Sequence, residues 1–220
     1  MSDKSPVVVG LGEVLWDELP TQKRPGGAPA NVVYHAARQG ARGCLISAVG
    51  KDESGRELLA QLQAHGVACQ VAQVPYPTGR VEVTLHNGAA TYRIVENSAW
   101  DHIPFTQEAA QLMAQADAAC FGTLAFRSPD TAHTLRQLLD QMRPQALKVL
   151  DVNLRPPYYS AELLQDLLGQ CNALKLNDEE APILAPLAGA AADPADVCRG
   201  LLARYGLRLV ILTAGARYSE

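Results

Sequence analysis

Four short motifs rich in glycine or polar residues constrain the fold of this chain more than any other feature. Residues 26–31 read Gly-Gly-Ala-Pro-Ala-Asn and open a predicted helix. The other three motifs lie where apolar strands end: residues 151–155 (Asp-Val-Asn-Leu-Arg), 175–180 (Lys-Leu-Asn-Asp-Glu-Glu) and 212–215 (Leu-Thr-Ala-Gly). Open α/β sheets bind their ligands at the carboxyl ends of the strands. The motifs therefore predict a ligand site built from several strand ends.

The hydrophobic pattern predicts strands that alternate with helices along most of the chain. Strands are predicted at residues 7–12, 44–49, 67–74, 118–121, 149–152, 173–176 and 209–212. Helices are predicted at residues 30–39, 54–64, 106–116, 128–142, 160–171 and 194–205. Repeated βα units imply a mostly parallel sheet covered by helices, so the predicted fold class is α/β.

Residues 78–95 interrupt this pattern. Residues 78–85 and 91–95 alternate polar and apolar side chains, and Asn87-Gly88 between them is a typical hairpin turn. An antiparallel hairpin with one exposed face is not a βαβ unit, so we expect it to lie outside the main sheet. We predict a small β lid formed by about residues 13–25 and 76–99.

Length and composition favour one domain over residues 1–220. The chain is 48% hydrophobic, with a net charge of −4 and no cluster of Lys or Arg, which argues against a nucleic-acid or membrane surface. No segment approaches the length of a membrane helix, and the first apolar run is too short for a signal peptide. Five widely spaced cysteines without a Cys-x-x-Cys pair favour reduced thiols and a cytoplasmic protein.

Two common nucleotide motifs do not fit the sequence. Gly10 and Gly12 begin a dinucleotide fingerprint, but its third glycine position is Leu15. Lys51 is followed by Asp52, so the Ser or Thr of a Walker loop is missing. A Rossmann dehydrogenase and a P-loop enzyme are therefore disfavoured.

The amino-terminal candidates are consistent with a polyol site. Glu13 and Asp17 follow the first strand, where a carboxylate accepts hydrogen bonds from vicinal hydroxyls, although a solvated loop acid is the simpler interpretation. Gly27 lacks a Cβ and lets the backbone approach a ligand closely. Asn31 lies at the start of the helix, where free N–H groups meet a polar ligand. Taken together, these residues make ligand binding and a plain loop about equally favoured.

The later candidates also have two interpretations each. Asp151, Asn153 and Arg155 would share one side of an extended segment and suit a hydroxyl-rich or phosphorylated ligand, or else form a structural salt bridge. Asn177 and Glu180, on one face if the chain is helical from residue 178, would hold the water shell of Mg²⁺, or else cap a helix.

In this order, the motifs resemble those of the PfkB (ribokinase-like) family of sugar kinases. Residues 26–31 are similar to its Gly-Gly-x-Pro-x-Asn signature, and residues 50–55 to its Gly-x-Asp-x-x-Gly element. Residues 151–155 resemble the Asp-x-Asn-x-Arg of its fructokinase branch, and residues 177–180 its Asn-x-x-Glu. Residues 213–215 resemble the strand end that precedes its nucleotide loop.

The resemblance implies a ribokinase-like three-layer sandwich with a β lid over a sugar site. It implies a carbohydrate kinase that uses ATP and Mg²⁺ to phosphorylate a sugar hydroxyl, with fructose as the first substrate to test. By this resemblance the sugar contacts are Asp17, Gly27, Asn31 and Arg155, and Glu180 is the metal contact. The nucleotide contacts are Asn177, Thr213 and Gly215. If the protein is a homodimer, we expect the lid to form the interface.

The chain departs from the family at one point. We find no Gly-Ala-Gly-Asp element, which supplies an anion hole and the aspartate that acts as general base, and we expect it beyond Glu220. The 220 residues alone are accordingly expected to be inactive. Three alternatives stay open: a portion of a longer kinase, a damaged kinase, and a sugar-binding or regulatory protein without phosphoryl transfer.

Overall fold

Eleven strands lie in the part of the chain that this computed structural model describes, residues 5–19, 21–86, 89–215 and 219. They are β1 (Val7–Leu11), β2 (Leu15–Leu19), β3 (Gln22–Gly26), β4 (Arg42–Gly50), β5 (Ala68–Val74), β6 (Gly79–His86), β7 (Ala89–Ile94), β8 (Ala118–Gly122), β9 (Leu147–Asp151), β10 (Ala173–Asn177) and β11 (Leu209–Thr213). Seven of them pair in parallel in the order β11-β10-β9-β8-β1-β4-β5. The predicted parallel central sheet is confirmed.

The described residues also form seven α-helices. They are α1 (Ala28–Arg38), α2 (Glu53–Ala64), α3 (Gln107–Gln115), α4 (Pro129–Asp140), α5 (Ala161–Gln170), α6 (Ala181–Ala188) and α7 (Pro194–Tyr205). Buried apolar side chains of α1 and α2, such as Val33 and Leu58, form one core cluster with residues of β4. A larger cluster joins α3 to α7 with the central sheet. Helices thus flank the sheet, as the α/β pattern predicts.

The four remaining strands form a second sheet in the order β3-β2-β6-β7. Strands β2 and β6 run parallel, whereas the pairs β2–β3 and β6–β7 are antiparallel. The predicted strands of the hairpin are present as β6 and β7, and the predicted turn residues Asn87 and Gly88 lie outside the described residues. The sequence placed residues 13–25 with this hairpin but did not predict strands β2 and β3 there.

Among the α-helices of the described residues, α6 is the one that the sequence pattern did not predict. Residues 178–180 form a turn, so the condition that the chain is helical from residue 178 is wrong. The helix begins only at Ala181, with a proline in its first turn, and Pro186 lies inside it. Gly189 ends it in the left-handed conformation, with φ of 63°. Two prolines in eight residues hide the helical pattern from a reading of the sequence.

A buried junction connects the central sheet to the second sheet. Asp52 caps α2 by accepting a hydrogen bond of 2.7 Å from the N–H of Gly55. The same carboxylate accepts bonds from the N–H and the hydroxyl of Thr78, over 2.9 and 2.6 Å. The hydroxyl oxygen of Thr78 in turn accepts from the N–H of Gly50. Since Thr78 directly precedes β6, the Asp of the Gly-x-Asp-x-x-Gly element fixes where the second sheet leaves the core.

Candidate functional site

A cavity of about 580 Å³ lies between the two sheets. Its floor is formed where β1, β8 and β9 end, which are three adjacent strands of the central sheet, and its walls come from α1 and the second sheet. It is lined by Glu13, Leu15, Asp17, Gly27, Ala28, Asn31, Val32, His35, Val81, Ile94, Leu124, Asp151, Asn153 and Arg155. The carboxyl ends of parallel strands are the usual place for a ligand in an open α/β sheet. All four predicted sugar contacts lie in this one cavity.

Asp17 lies on β2 and faces the cavity from the second sheet. Its side chain is half-buried, and this burial raises the pKa of the carboxyl above its ordinary value, while the positive charge of Arg155 opposes the rise. In the described part of the chain, no side chain or backbone group forms a hydrogen bond to this carboxylate. Asp17 is therefore a free acceptor on the cavity wall, which suits the hydroxyl groups of a polyol.

Gly27 adopts a conformation that other residues rarely take, with φ of 106°. A Cβ on Gly27 would lie 2.5 Å from the carbonyl oxygen of Glu13, so the space is also closed to a side chain. The close approach lets α1 begin directly at the cavity. Asn31 and His35 lie one turn apart on this helix, and both line the cavity.

Asp151, Asn153 and Arg155 converge on the cavity, but the predicted reason is wrong. Strand β9 ends at Asp151, and Asn153 is left-handed with φ of 38°, so the segment is not extended and its side chains do not simply alternate. The alternative interpretation also holds in part, because Asp151 forms an ion pair with Lys175 over 3.0 Å. Asp151 thus forms a structural ion pair and also lines the cavity.

Glu13 and His35 are cavity residues for which the sequence pattern predicts no firm role. Glu13 is almost completely buried, and burial, with a smaller effect of the nearby Asp151 charge, raises its pKa to about 7. The five histidines of the chain show no metal-ligand spacing, so the sequence predicts no role for His35. Its position four residues after Asn31 is the signal that would have placed it on the same face of the helix.

A second cavity of about 880 Å³ adjoins the first. The two share Asp17, Val81, Ile94 and Arg155 in their walls. The second cavity adds Arg24 of β3, which pairs in register with Asp17 on β2. Arg93 also lines this second cavity, whose described lining adds two guanidinium groups to the shared Arg155 and no carboxyl group to the shared Asp17.

The predicted nucleotide side forms a tight turn after β10. The N–H of Glu180 donates to Oδ1 of Asn177, and the N–H of Asn177 donates to Oε2 of Glu180, both over 2.8 Å. This reciprocal pair has the geometry of a capping box, which is the alternative that the sequence left open. Oε1 of Glu180 accepts a further bond from the N–H of Leu154. Glu180 is buried, and both of its oxygens already accept backbone hydrogen bonds.

Thr213 and Gly215 lie beside this turn. Thr213 ends β11 opposite Asn177 in the register, and its carbonyl accepts a bond of 3.0 Å from the N–H of Asp178. Gly215 is exposed and left-handed, with φ of 58°, and a Cβ there would meet no atom. The four predicted nucleotide and metal residues thus lie at neighbouring strand ends, and they line neither of the two cavities.

In the described part of the chain, no group of three or more His, Cys, Asp or Glu side chains is placed to hold a metal ion. Among the same residues, no helix combines the length and the apolar character needed to cross a membrane.

Fold and site together define an α/β protein with a polar cavity at the carboxyl edge of its central sheet, beside a second β-sheet. Residues 9–218 match the pfkB family of carbohydrate kinases. Because the match extends over nearly the whole chain, the protein belongs to this family. The ribokinase-like fold predicted from the motifs is confirmed by the solved structures described next.

Three proteins illustrate the similarity. The chain is 26% identical over 237 residues to the ATP-dependent 6-phosphofructokinase of Thermoanaerobacterium thermosaccharolyticum, covering 97% of this chain and 70% of the relative. It is 24% identical over 193 residues to an uncharacterized sugar kinase from Pyrococcus horikoshii, covering 79% of this chain and 62% of the relative. The structure of fructokinase with bound ATP from Xylella fastidiosa superimposes with a TM-score of 0.81 at 21% identity, covering 98% of this chain and 74% of the other.

Proposed function

We propose that this protein is an ATP-dependent carbohydrate kinase that phosphorylates a hydroxyl of a monosaccharide, with fructose as the first candidate substrate. The observation that carries the proposal is the convergence of Asp17, Asn31 and Arg155, from three distant parts of the sequence, on one cavity. Membership of the pfkB carbohydrate kinase family supports it. So do the relatives, whose names describe a phosphofructokinase and a sugar kinase.

Each residue has a proposed task that its geometry allows. Asp17 accepts hydrogen bonds from sugar hydroxyls, Gly27 admits the sugar close to the backbone, and Asn31 donates or accepts at the entrance of α1. Arg155 donates to an oxygen of the substrate from the opposite wall. Phosphoryl transfer depends on position and on neutralised charge, so a site of this kind contributes by holding the accepting hydroxyl in place.

The nucleotide is proposed to bind at the edge formed by Asn177, Thr213 and Gly215. The ATP bound in the Xylella fastidiosa fructokinase makes this cofactor a reasonable expectation for a chain of the same fold. Backbone groups of a turn can approach phosphates closely where a glycine such as Gly215 lacks a Cβ. The hydrogen bond between Leu154 and Glu180 joins this edge to the loop that carries Arg155.

Mg²⁺ is proposed to accompany ATP, with Glu180 as its contact. Each carboxylate oxygen keeps a second acceptor position beside its backbone bond, so Glu180 fits a water of the magnesium shell better than direct coordination. Mg²⁺ keeps several waters and binds mainly through phosphates, so one carboxylate is enough. When bound, the ion neutralises charge on the transferring phosphoryl group.

The second sheet is proposed to act as the lid of one domain that spans residues 1–220. Leu15, Asp17 and Val81 bring it into the wall of the cavity. We also propose that the protein is cytoplasmic. If it is a homodimer, we propose that this lid forms the interface. Sedimentation of the purified protein distinguishes a monomer from a dimer.

One observation favours a second substrate class. Arg24 and Arg155 make the cavity next to the sugar site cationic, in a protein whose net charge is −4. Guanidinium groups bind carboxylates and phosphates through paired hydrogen bonds. A sugar acid or sugar phosphate, with its hydroxyls beside Asp17 and its anionic end beside the arginines, is therefore the alternative to neutral fructose.

The test is ADP release by protein expressed from its whole native reading frame. We expect ADP to form with ATP, Mg²⁺ and either fructose or an acidic relative of it, and the ratio of kcat/KM values decides between the two substrate classes. Release of no ADP with any common ketose, aldose, sugar acid, sugar phosphate or nucleoside would overturn the proposal. The alternative of a sugar-binding protein without transfer gains no support from relatives that carry the names of kinases.

A further inference from the structure

Glu13 is a buried acid on the wall of the proposed sugar cavity, with one oxygen unused. Only 2% of the residue is exposed, although it is one of the cavity-lining residues. Oε1 accepts a long hydrogen bond of 3.3 Å from the N–H of Ala28. Oε2 has no hydrogen-bond partner among the described residues.

Capping of α1 explains the role of only one of the two oxygens of this carboxyl group, Oε1. The N–H of Ala28 belongs to the first turn of the helix, where an acceptor is normally needed, and Oε1 supplies it. The orphaned Oε2 has no such task. A buried polar atom without a partner costs about 1–3 kcal/mol, and native proteins leave few of them. The unused oxygen therefore indicates a missing partner, and the adjoining cavity is where a partner can enter.

The electrostatics of Glu13 set it apart from Asp17. Burial raises the pKa of Glu13 to about 7, so near neutral pH a large share of the molecules carry the proton. A protonated carboxyl group both donates and accepts hydrogen bonds, whereas a carboxylate only accepts. The titratable and charged groups around it are Asp17 on β2, His35 on α1, Cys120 on β8, Asp151 on β9, Arg155 after β9 and Lys175 on β10.

We propose that Glu13 is a substrate-binding residue whose carboxyl group hydrogen-bonds one hydroxyl of the monosaccharide, in addition to the contact made by Asp17. This inference rests on the proposed function, because it takes the occupant of the cavity to be a sugar. Glu13 lies in the loop that follows β1 of the central sheet, whereas Asp17 lies on β2 of the second sheet, so the two acids approach the ligand from different elements. The sugar is then held between the floor of the cavity and its lid.

The experiment is equilibrium binding by calorimetry, which does not require turnover. D-Fructose and a series of monodeoxy analogues, each lacking one hydroxyl, are titrated into the wild type and into Glu13→Ala. If fructose is not bound, the same comparison uses the tightest-binding member of a panel of ketoses, aldoses and sugar acids. We expect Glu13→Ala to bind the complete sugar about tenfold more weakly or worse, as for a lost hydrogen bond.

The analogues separate a direct contact from a structural effect. For the analogue that lacks the contacted hydroxyl, the wild type and Glu13→Ala should bind equally, while the loss persists for every other analogue. Glu13→Gln, which keeps a donor and an acceptor, should bind within about threefold of the wild type. If Glu13→Ala does not fold, Glu13→Asp replaces it in the same comparison. The aspartate side chain is one methylene shorter, so its carboxyl group lies farther from the ligand. Glu18→Ala is the matched control, because Glu18 neighbours Asp17 on β2 and lines neither cavity.

The possible failures are distinguishable. An equal loss of affinity for all analogues, or no loss at all, overturns the role of Glu13 and leaves the proposed function standing. Failure of the folded wild type to bind any sugar of the panel overturns both.

Discussion

The backbone N–H of Leu154 donates a hydrogen bond of 2.8 Å to Oε1 of Glu180. Leu154 lies in the loop after β9 that carries Arg155, and Glu180 lies in the turn after β10. Oε2 of the same side chain accepts from the N–H of Asn177. One buried carboxyl group therefore connects the loop that carries Arg155 with the proposed nucleotide edge.

Glu180→Ala should destabilise the protein strongly. The substitution leaves two backbone N–H groups without an acceptor in a buried place, and each costs about 1–3 kcal/mol. We expect the free energy of unfolding in urea to fall by about 2–5 kcal/mol. Glu179→Ala is the matched control, because Glu179 is exposed, and a change of more than about 0.5 kcal/mol there is not expected. Similar losses in both variants would contradict the buried role of Glu180.

Asp17→Ala should weaken sugar binding far more than ATP binding. Asp17 lines the proposed sugar cavity from the second sheet, whereas Asn177 ends a strand of the central sheet and lines neither cavity. Hydrogen bonds to a charged group contribute about 1.5–3 kcal/mol, so we expect sugar affinity to fall about tenfold to a hundredfold, measured by calorimetry. ATP affinity should stay within about twofold of the wild type. An equal loss of both affinities would show that Asp17 does not belong to the sugar side.

The strand ends were predictable because their signals are local. Apolar runs such as residues 7–12 and 209–212 end in glycine or polar residues, and this pattern depends only on neighbours in the sequence. Strands β2 and β3 were not predicted. Strand β3 contains Lys, Arg and Pro and is mostly exposed, so its sequence lacks the apolar pattern of a strand. Its place in the second sheet comes from pairing with β2, a tertiary effect that overrides weak strand propensity.

The candidate site could be predicted as a list of residues but not as a geometry. Asp17 and Arg155 were both expected to contact sugar, yet their shared cavity depends on how the second sheet packs on the first. Asn153 was expected in an extended segment and is left-handed. The burial of Glu13, which raises its pKa to about 7, has no signal in the sequence because it depends on surrounding elements that are distant along the chain.

Asp52→Ala should loosen the junction between the two sheets. Asp52 caps α2 at Gly55 and accepts two hydrogen bonds from Thr78. Loss of the cap alone costs about 1 kcal/mol, and the lost contacts to Thr78 add to it, so we expect unfolding to be easier by about 2–3 kcal/mol. Glu53→Ala, at a mostly exposed neighbour, should cost less than about 1 kcal/mol in the same urea titration. Equal free energies of unfolding for the two variants would contradict the role of Asp52 in joining the two sheets.

Gly26→Ala should reduce sugar affinity while the protein stays folded. A Cβ at Gly26 would lie 2.5 Å from Oδ2 of Asp17, so this side chain must move. The clash is with the end of a side chain rather than with backbone, so the fold can adjust but Asp17 leaves its position. We expect about tenfold weaker binding in calorimetry. Gly169→Ala in α5 is the control, because a Cβ there meets no atom, and unchanged binding in both variants would contradict the prediction.

The unusual pKa of Glu13 should appear in the pH dependence of stability without sugar. Burial raises this pKa from its ordinary value of 4.5 to about 7 in the folded protein. Between these values the folded state holds a proton that the unfolded state has released, so the free energy of unfolding falls as pH rises. At about 1.4 kcal/mol for each pH unit, the contribution lost is about 3 kcal/mol, and above pH 7 no more is lost.

Comparison with Glu13→Gln isolates this effect from the other titrating groups. Glutamine stays neutral, so the stability of the wild type minus that of Glu13→Gln should decrease from about pH 4.5 to about pH 7 and then level off. Urea unfolding at closely spaced pH values measures this difference. The corresponding curve for Glu179→Gln, at an exposed position, should be nearly flat. A flat curve for Glu13→Gln as well would mean that Glu13 titrates as an ordinary solvated acid, and its unused oxygen would then face water rather than a ligand.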